Sequence, residues 1–354
     1  MSNNNDIIKE YKKISLLGKG NYGSVYKVQH IKTKQYFAMK TISTFSCEKS
    51  SQKNFASLDS IENEIKILSQ LNHPNITKLH SYFKTESTIY IIMELCDLGD
   101  LSSLIDMKRT KKQFFEEKEI TTIMSQILSG LNYLHSNNII HRDIKTLNIF
   151  LNHNNTVKIG DFGVSKQLQQ NALATTVVGT PYYLSPEICS GQKYNDKSDV
   201  WSLGVVLYEL ITLSKPFDAN SQMGLVMKIV NEPPKAIDVD VKKCYSSSLI
   251  WLINGMLEKN PKRRLNVKQV LMSGVFGKKV QHVVDKQKVK EGYLKKEKGK
   301  NCLNSNNVVN NVNKERIIKT KQVGGGGGQM ANKRVRCDPR NKTEVKLVSC
   351  FIYY

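Results

Sequence analysis

Three glycines near the start of the chain, Gly18, Gly20 and Gly23 in LLGKGNYGSVY (Leu16 to Tyr26), stand in the spacing G-x-G-x-x-G. Two unrelated nucleotide folds use that spacing, and so do many plain surface turns, because glycine accepts φ > 0 at no steric cost. The residues after the third glycine decide between them. A dinucleotide fingerprint runs at once into a helix whose N-terminus receives the pyrophosphate. Here Ser24-Val25-Tyr26-Lys27-Val28 follows and reads as an alternating strand. Strand, glycine turn and strand make a hairpin lid whose backbone N–H groups can drape over phosphates. The Rossmann reading is ruled against.

The rest of the N-terminal third agrees with a small strand-rich unit. SVYKVQH and QYFAMKTI flank the turn-like IKTKQ, and STIYIIMEL is a β-rich apolar run. Between them SIENEIKILSQL carries a helical stripe at Ile61, Ile65, Leu68 and Leu71. From residue 98 helical patterns dominate. EKEITTIMSQILSGLNYLHSNN is a long amphipathic helix stopped at Asn137-Asn138, and DKSDVWSLGVVLYELIT is apolar almost all round, the mark of a buried helix. SSSLIWLINGMLEKNPKRRL and NVKQVLMSG complete this part. The fold class expected is α+β, with a β-rich N-lobe (about 11–94, one helix) and a larger, mostly helical C-lobe (about 97–276).

Beyond residue 277 the periodicity ends in Lys- and Asn-rich text and five consecutive glycines, 324–328, which is linker chemistry. The net charge of +22 is concentrated there: residues 281–354 hold 17 Lys/Arg against 6 Asp/Glu, a net +11. A basic tail, not a basic domain, is the expectation, suited to an acidic partner or nucleic acid, or simply solvated. NKRVR is too short to be more than a weak nuclear-targeting hint. The start, MSNNNDIIKEYKK, lacks an apolar signal core, and no stretch approaches the ~20 apolar residues of a membrane span. The seven cysteines are scattered with no C-x-x-C pair, as expected for reduced thiols in an intracellular chain, cytoplasmic or nuclear.

A phosphate lid makes demands further along the chain, and each is met in order. YFAMK supplies Lys40 as a strand lysine to grip a triphosphate. It needs a helix carboxylate to hold it, and ENEIKIL offers Glu62 and Glu64. Glu64 is chosen because Ile61, Ile65 and Leu68 define the packed face. HRDIKTLNIFL then places an Asp, a Lys and an Asn within six residues, between apolar Ile139-Ile140 and Ile149-Phe150-Leu151, as a loop pinned between buried strands. Asp143 would accept a substrate hydroxyl proton, Lys145 would neutralise the moving phosphoryl oxygens, and Asn148 would hold a metal. In IGDFGVS, Asp161 is the principal Mg²⁺ ligand. His141, Arg142, Asp199 and a Glu187–Arg264 ion pair are assigned to architecture.

With these motifs in order, residues 11–276 resemble eukaryotic protein kinases, down to the extended form G-x-G-x-x-G-x-V completed by Val25. The E-x-x-I-L spacing of kinases also favours Glu64. HRDIKTLNIFL, GDFGVSKQL and GTPYYLSPEIC are similar to the NIMA-related serine/threonine kinases; Ser185 stands where the general Ala-Pro-Glu motif has alanine.

The resemblance implies ATP clamped between two lobes. Leu17, Gly18, Lys19, Gly20 and Gly23 would cover it, with Val25 and Ala38 above the adenine, Phe150 below, and a hinge at Glu94-Leu95-Cys96 behind a gatekeeper at Met93. It implies ATP and Mg²⁺ as cofactors, with Mn²⁺ as substitute, and protein substrates. Lys145 with Thr180 is the pattern for serine/threonine transfer. Activation is expected by phosphate on Thr176, or Thr175, paired with Arg142. The tail lacks the coiled coil by which many NIMA-related kinases dimerise. A pseudokinase scaffold would lack Lys40, Asp143, Asn148 or Asp161, and a small-molecule phosphotransferase would lack VVGTPYYLSPE.

Overall fold

The alternation in SVYKVQH and QYFAMKTI becomes two neighbouring strands of a five-stranded antiparallel sheet, in the order β1-β2-β3-β5-β4. The structure is a computed structural model describing residues 8–20, 23–43, 65–66, 68–153, 155–161 and 181–276. The strands are β1 (Tyr11–Gly20), β2 (Gly23–His30), β3 (Tyr36–Ser43), β4 (Leu79–Lys84) and β5 (Thr88–Glu94). Side chains alternate between sheet faces with period two. Accordingly Met39 and Ile92 join Val28 and Phe83 in a small cluster on one face. Ile42, Ile89 and Ile91, of opposite parity, belong to the main core. Lys40 and Ala38 share that second face with Ile42. The sheet register places Lys40 between Val25 and Ile91, and Ala38 opposite Met93.

The sequence stripe beginning at Ile61 is described only in part: residues 65–66 and 68–69 are helical, with Ile65 and Leu68 buried. Glu62 and Glu64 lie outside the described residues.

The helical part begins with α1 (Leu101–Thr110) and α2 (Glu117–Ser136). In α2, Ile120, Ile123, Met124, Ile127, Leu128, Leu131 and Leu134 recur at three- and four-residue steps and are all buried. A capping box starts it, with the Glu116 N–H donating to Glu119 Oε2 at 2.8 Å. The expected stop is met, with Asn138 left-handed at φ 59°. The segment that follows differs from expectation. A strand, β6 (Ile149–Asn152), stands only on its C-terminal side, paired with β7 (Thr156–Ile159). Ile139 and Ile140 are irregular backbone, because the Ile139 N–H still closes the helix end onto Leu134 O at 3.0 Å.

After α3 (Pro186–Cys189) comes α4 (Asp196–Thr212), where Ser198 through Ile211 are buried without a break. Shorter helices complete the part: α5 (Gln222–Asn231), α6 (Val239–Lys243), α7 (Ser247–Met256) and α8 (Val267–Leu271). Arg264 is fully buried and spends its five N–H groups on Glu187 (Nη1 to Oε1 2.7 Å, Nη2 to Oε2 2.8 Å) and on the carbonyls of Lys197, Glu258 and Lys259. The Ser185 hydroxyl is buried with no partner among the described residues, so the alanine of the general motif would lose no hydrogen bond there.

Residues 73–77 fasten the sheet to the helical part. The Thr77 N–H donates to Ile159 O at 2.9 Å, the Ile159 N–H to Asn75 O at 2.9 Å, and Asn75 Nδ2 to Val157 O at 2.9 Å. A side chain at Gly130 would meet Asn75 O at 2.8 Å, so α2 can approach only without a Cβ at that point. His73 accepts the Asn75 N–H at Nδ1 (3.0 Å) and reaches Ser129 Oγ from Nε2 (3.3 Å). A proton on Nδ1 would break the first bond, and burial pushes this imidazole down to about 4. Its folded pKa lies below the unfolded value of ~6.5, so the unfolded chain binds more protons between those pH values. Stability is therefore full above pH ~6.5 and falls as pH drops towards 4, by on the order of 2 kcal/mol. Thermal melts at pH 7 and pH 4.5 should show this drop, and His73→Gln should shrink it.

Candidate active site

One buried carboxylate organises the loop that carries Asp143. Asp199, in the first turn of α4, is completely buried and accepts the His141 N–H on Oδ2 (2.9 Å) and the Arg142 N–H on Oδ1 (3.0 Å). His135 Nε2 (2.8 Å) and the Tyr194 hydroxyl (3.1 Å) complete its shell. This clamp holds Arg142 at φ 68°, a left-handed conformation that a long side chain rarely adopts unless its surroundings impose it. His141 is buried. Its Nδ1 accepts the Asp143 N–H (3.3 Å) and its Nε2 lies 3.2 Å from Gly160 O. Burial lowers its pKa and favours the neutral ring. Neutral His141 thus ties the backbone of Asp143 to that of Gly160, next to Asp161.

The 3₁₀ turn Thr146–Asn148 then folds the loop back on itself. Asn148 Nδ2 donates to Asp143 O (2.8 Å) and to Asp143 Oδ2 (2.9 Å), and Lys145 Nζ lies 3.1 Å from the same Oδ2. Asp143, Lys145 and Asn148 are therefore one constellation. Because its amide nitrogen is committed to Asp143, Asn148 can offer a cation only its carbonyl oxygen. The Gly160 N–H donates to Asn148 O at 3.0 Å. A Cβ at Gly160 would lie 2.8 Å from both the Phe150 ring and Thr77 Oγ1, so only glycine fits between them. Asp161 follows at φ 51°.

From the sheet, Lys40 reaches across and forms an ion pair with Asp161. The sequence predicts Glu64 as its carboxylate partner; that residue lies outside the described residues. A cavity lies where the two parts meet, lined by Lys40, Met93 and Asp161 and backed by Ile65, Leu68, Thr77, Leu79 and Ile91. Met93 precedes Glu94, whose carboxylate is held by Lys158 Nζ at 3.1 Å and accepts the Lys78 N–H at 3.2 Å. Cys96, half-buried, has its thiol pushed up to about 12, first by burial and then by the Glu94 charge. Phe150 sits on β6 opposite Lys158.

The glycine hairpin closes as expected for a lid. Gly18 pairs with Val25, Lys19 with Ser24 and Gly20 with Gly23, while Leu17 is exposed. A Cβ on Gly23 would fall 1.5 Å from Thr41 O, so the third glycine is required by β3 behind it. Thr175, Thr176 and Thr180 lie outside the described residues.

Two groups of residues here have no signature in the sequence. Lys158 reads there as an ordinary strand lysine. Thr146, Tyr183, Glu209 and Lys215 converge through their side chains from four places in the chain, and only proximity in space links them.

Comparison with known proteins fits this geometry. The protein kinase domain family matches residues 11–276. The chain is 34% identical to the serine/threonine-protein kinase Nek1 of Mus musculus over 82% of its own length and 23% of that protein's. It is 37% identical to Nek3 of the same species over 79% of its length and 52% of the relative's. It thus spans about a quarter and about half of these two relatives. Among solved structures, Rad53 residues 1–466 in complex with AMP-PNP is similar with a TM-score of 0.65 and 27% identity, covering 77% of this chain and 66% of that one.

Proposed function

Since the chain belongs to the protein kinase family, in its NIMA-related branch, we propose that it transfers the γ-phosphate of ATP to serine and threonine hydroxyls of proteins. The observation that carries this is the single constellation formed by Asp143, Lys145 and Asn148, tied through His141 and Gly160 to the Asp161 that Lys40 meets from the sheet. Residues 11–276 would be the catalytic unit and 277–354 a basic tail.

The roles follow from chemistry and position. Asp143, oriented by Asn148, accepts the proton of the incoming hydroxyl. Lys145 sets a positive charge beside it, where phosphoryl oxygens pass. Lys40 grips phosphate oxygens from above, and Val25, Ala38, Met93 and Phe150 line the place for the base, with the hinge backbone from Glu94 to Cys96 at its edge. Leu17, Gly18, Lys19, Gly20 and Gly23 cover the nucleotide.

Asp161 and the Asn148 carbonyl are hard oxygen donors, the type Mg²⁺ or Mn²⁺ takes. No cluster of three or more His, Cys, Asp or Glu that could hold a metal occurs among the described residues. When bound, such a cation neutralises phosphate charge. Thr180 would select serine and threonine acceptors together with Lys145, and phosphate on Thr176 or Thr175 would order the segment before Pro181 by pairing with Arg142. No helix among the described residues is long and apolar enough to cross a membrane.

The test is transfer of label from γ-labelled ATP with Mg²⁺ to dephosphorylated casein. Lys40→Met, folded by its melting curve, should lower transfer at least about a hundredfold, as losing a charged donor aimed at the transferred group does elsewhere. Undiminished transfer in that variant would remove Lys40 from the reaction. Retention of all of Lys40, Asp143, Asn148 and Asp161 argues against a scaffold that only binds ATP.

A further inference from the structure

Strand β3 carries, directly after Lys40, a threonine that no motif singles out. Side chains alternate along a strand, so Thr41 lies on the sheet face opposite to that of Lys40 and Ala38. Its hydroxyl is nevertheless tied to the glycine hairpin. The Ser24 N–H donates to Thr41 Oγ1 at 3.2 Å, and that hydroxyl donates back to Ser24 O at 3.0 Å. One side-chain oxygen thus serves both the donor and the acceptor of a single residue on the neighbouring strand.

Ser24 stands where the chain leaves the glycines. It follows Gly23, precedes Val25 and pairs with Lys19 across the hairpin, while Thr41 faces it across the β2–β3 ladder. Threonine is β-branched and stiff at χ1, so its hydroxyl holds a direction with little rotamer freedom to lose. The clasp therefore fastens the start of β2 to the residue next to Lys40. At that point the glycine backbone and the lysine must address the same phosphates.

We propose that the Thr41 hydroxyl is a positioning group for the nucleotide: it holds the glycine hairpin in place over Lys40, and so governs how long the nucleotide stays bound. This rests on the kinase reading above. Thr41 acts only through the Ser24 backbone, from the other face of the sheet. Without the clasp the hairpin is correctly placed for a smaller fraction of the time, and apparent affinity falls by that fraction. Asp143, Lys145 and Asn148 belong to a loop of the helical part, so acceptor binding should not feel the change.

The experiment is stopped-flow release of N-methylanthraniloyl-ADP from the full chain with Mg²⁺, beside steady-state kinetics with MgATP and dephosphorylated casein. Thr41→Val keeps the branched shape and removes the hydroxyl. Thr41→Ser keeps the hydroxyl and removes the methyl group. In Thr41→Val, release should be about three- to tenfold faster and KM for ATP should rise by a similar factor, the size of a lost hydrogen bond. KM for casein should stay within about twofold, and Thr41→Ser should release ADP within about twofold of wild type. Unchanged release in Thr41→Val overturns the proposal, as does an equal effect of the two variants, which would assign it to packing of the methyl group. A general loosening of the fold would lower the melting temperature and raise both KM values together; that pattern also overturns it. Loss of transfer in Asp143→Asn with activity in the wild type establishes the kinase reading separately, so the positioning role can fail alone. A wild-type chain that binds no MgADP overturns both.

Discussion

Replacing Arg264 with methionine is expected to destabilise the fold by about 3–5 kcal/mol, the range for breaking a buried ion pair from one side. Arg264 is fully buried, and its guanidinium satisfies both Glu187 oxygens and three backbone carbonyls, Lys197 O, Glu258 O and Lys259 O. Methionine fills much of the space but leaves a buried carboxylate without its cation. The Arg264 charge and hydrogen bonds lower the Glu187 pKa despite the burial that opposes them. Without them the carboxyl must take a proton or pull water inward. Ser198 Oγ, which donates to Glu187 Oε1 at 2.7 Å, is the remaining side-chain donor. A fall in melting temperature on the order of 10 °C is expected. Removing both charges in Arg264→Met with Glu187→Met should cost less than Arg264→Met alone, since no uncompensated charge is then buried. Denaturant melts of the three variants check this; a double variant worse than the single one would show that the hydrogen bonds to carbonyls, not the ion pair, carry the stability.

Asp143→Asn is expected to lower kcat between about a hundredfold and ten-thousandfold, the span for losing a positioned general base. Asparagine is the same shape and keeps a carbonyl oxygen for the Asn148 amide that now donates to Asp143 Oδ2. It also keeps its backbone bond to His141, so the loop geometry set by Asp199 should persist. Nucleotide affinity should stay within a few-fold, because the residues proposed to touch ATP are elsewhere. ADP titration beside transfer kinetics separates the two effects. A proportional fall in affinity and rate would mean that Asp143 supports binding, not proton transfer.

How much of this was legible in the sequence depended on how local the signal was. The hairpin was legible because alternation and glycine spacing are both written within eleven residues. Helix α2 was legible from its stripe and its asparagine stop. The order of Lys40, Asp143, Asn148 and Asp161 was legible because each lies in a short motif. Sequence also foresaw Asp199 bracing the loop and Glu187 meeting Arg264. What escaped it is non-local. Ile139-Ile140 looks like a strand by composition, but its neighbour is a helix end, and no strand pairs with it among the described residues. Lys158 holds Glu94 across a sheet boundary, and Thr146, Tyr183, Glu209 and Lys215 meet only after α4 is buried. The partner of Lys40 shows the limit differently: Asp161 holds it, while Glu64 lies outside the described residues.

The central claim is that this chain moves the γ-phosphate of ATP onto serine and threonine. The most direct measurement is phosphoamino-acid analysis of casein after incubation with the purified full chain, γ-labelled ATP and Mg²⁺. The account predicts label on phosphoserine or phosphothreonine, none on phosphotyrosine, and its loss in Asp143→Asn. Label on tyrosine, or equal label from wild type and Asp143→Asn, would contradict it.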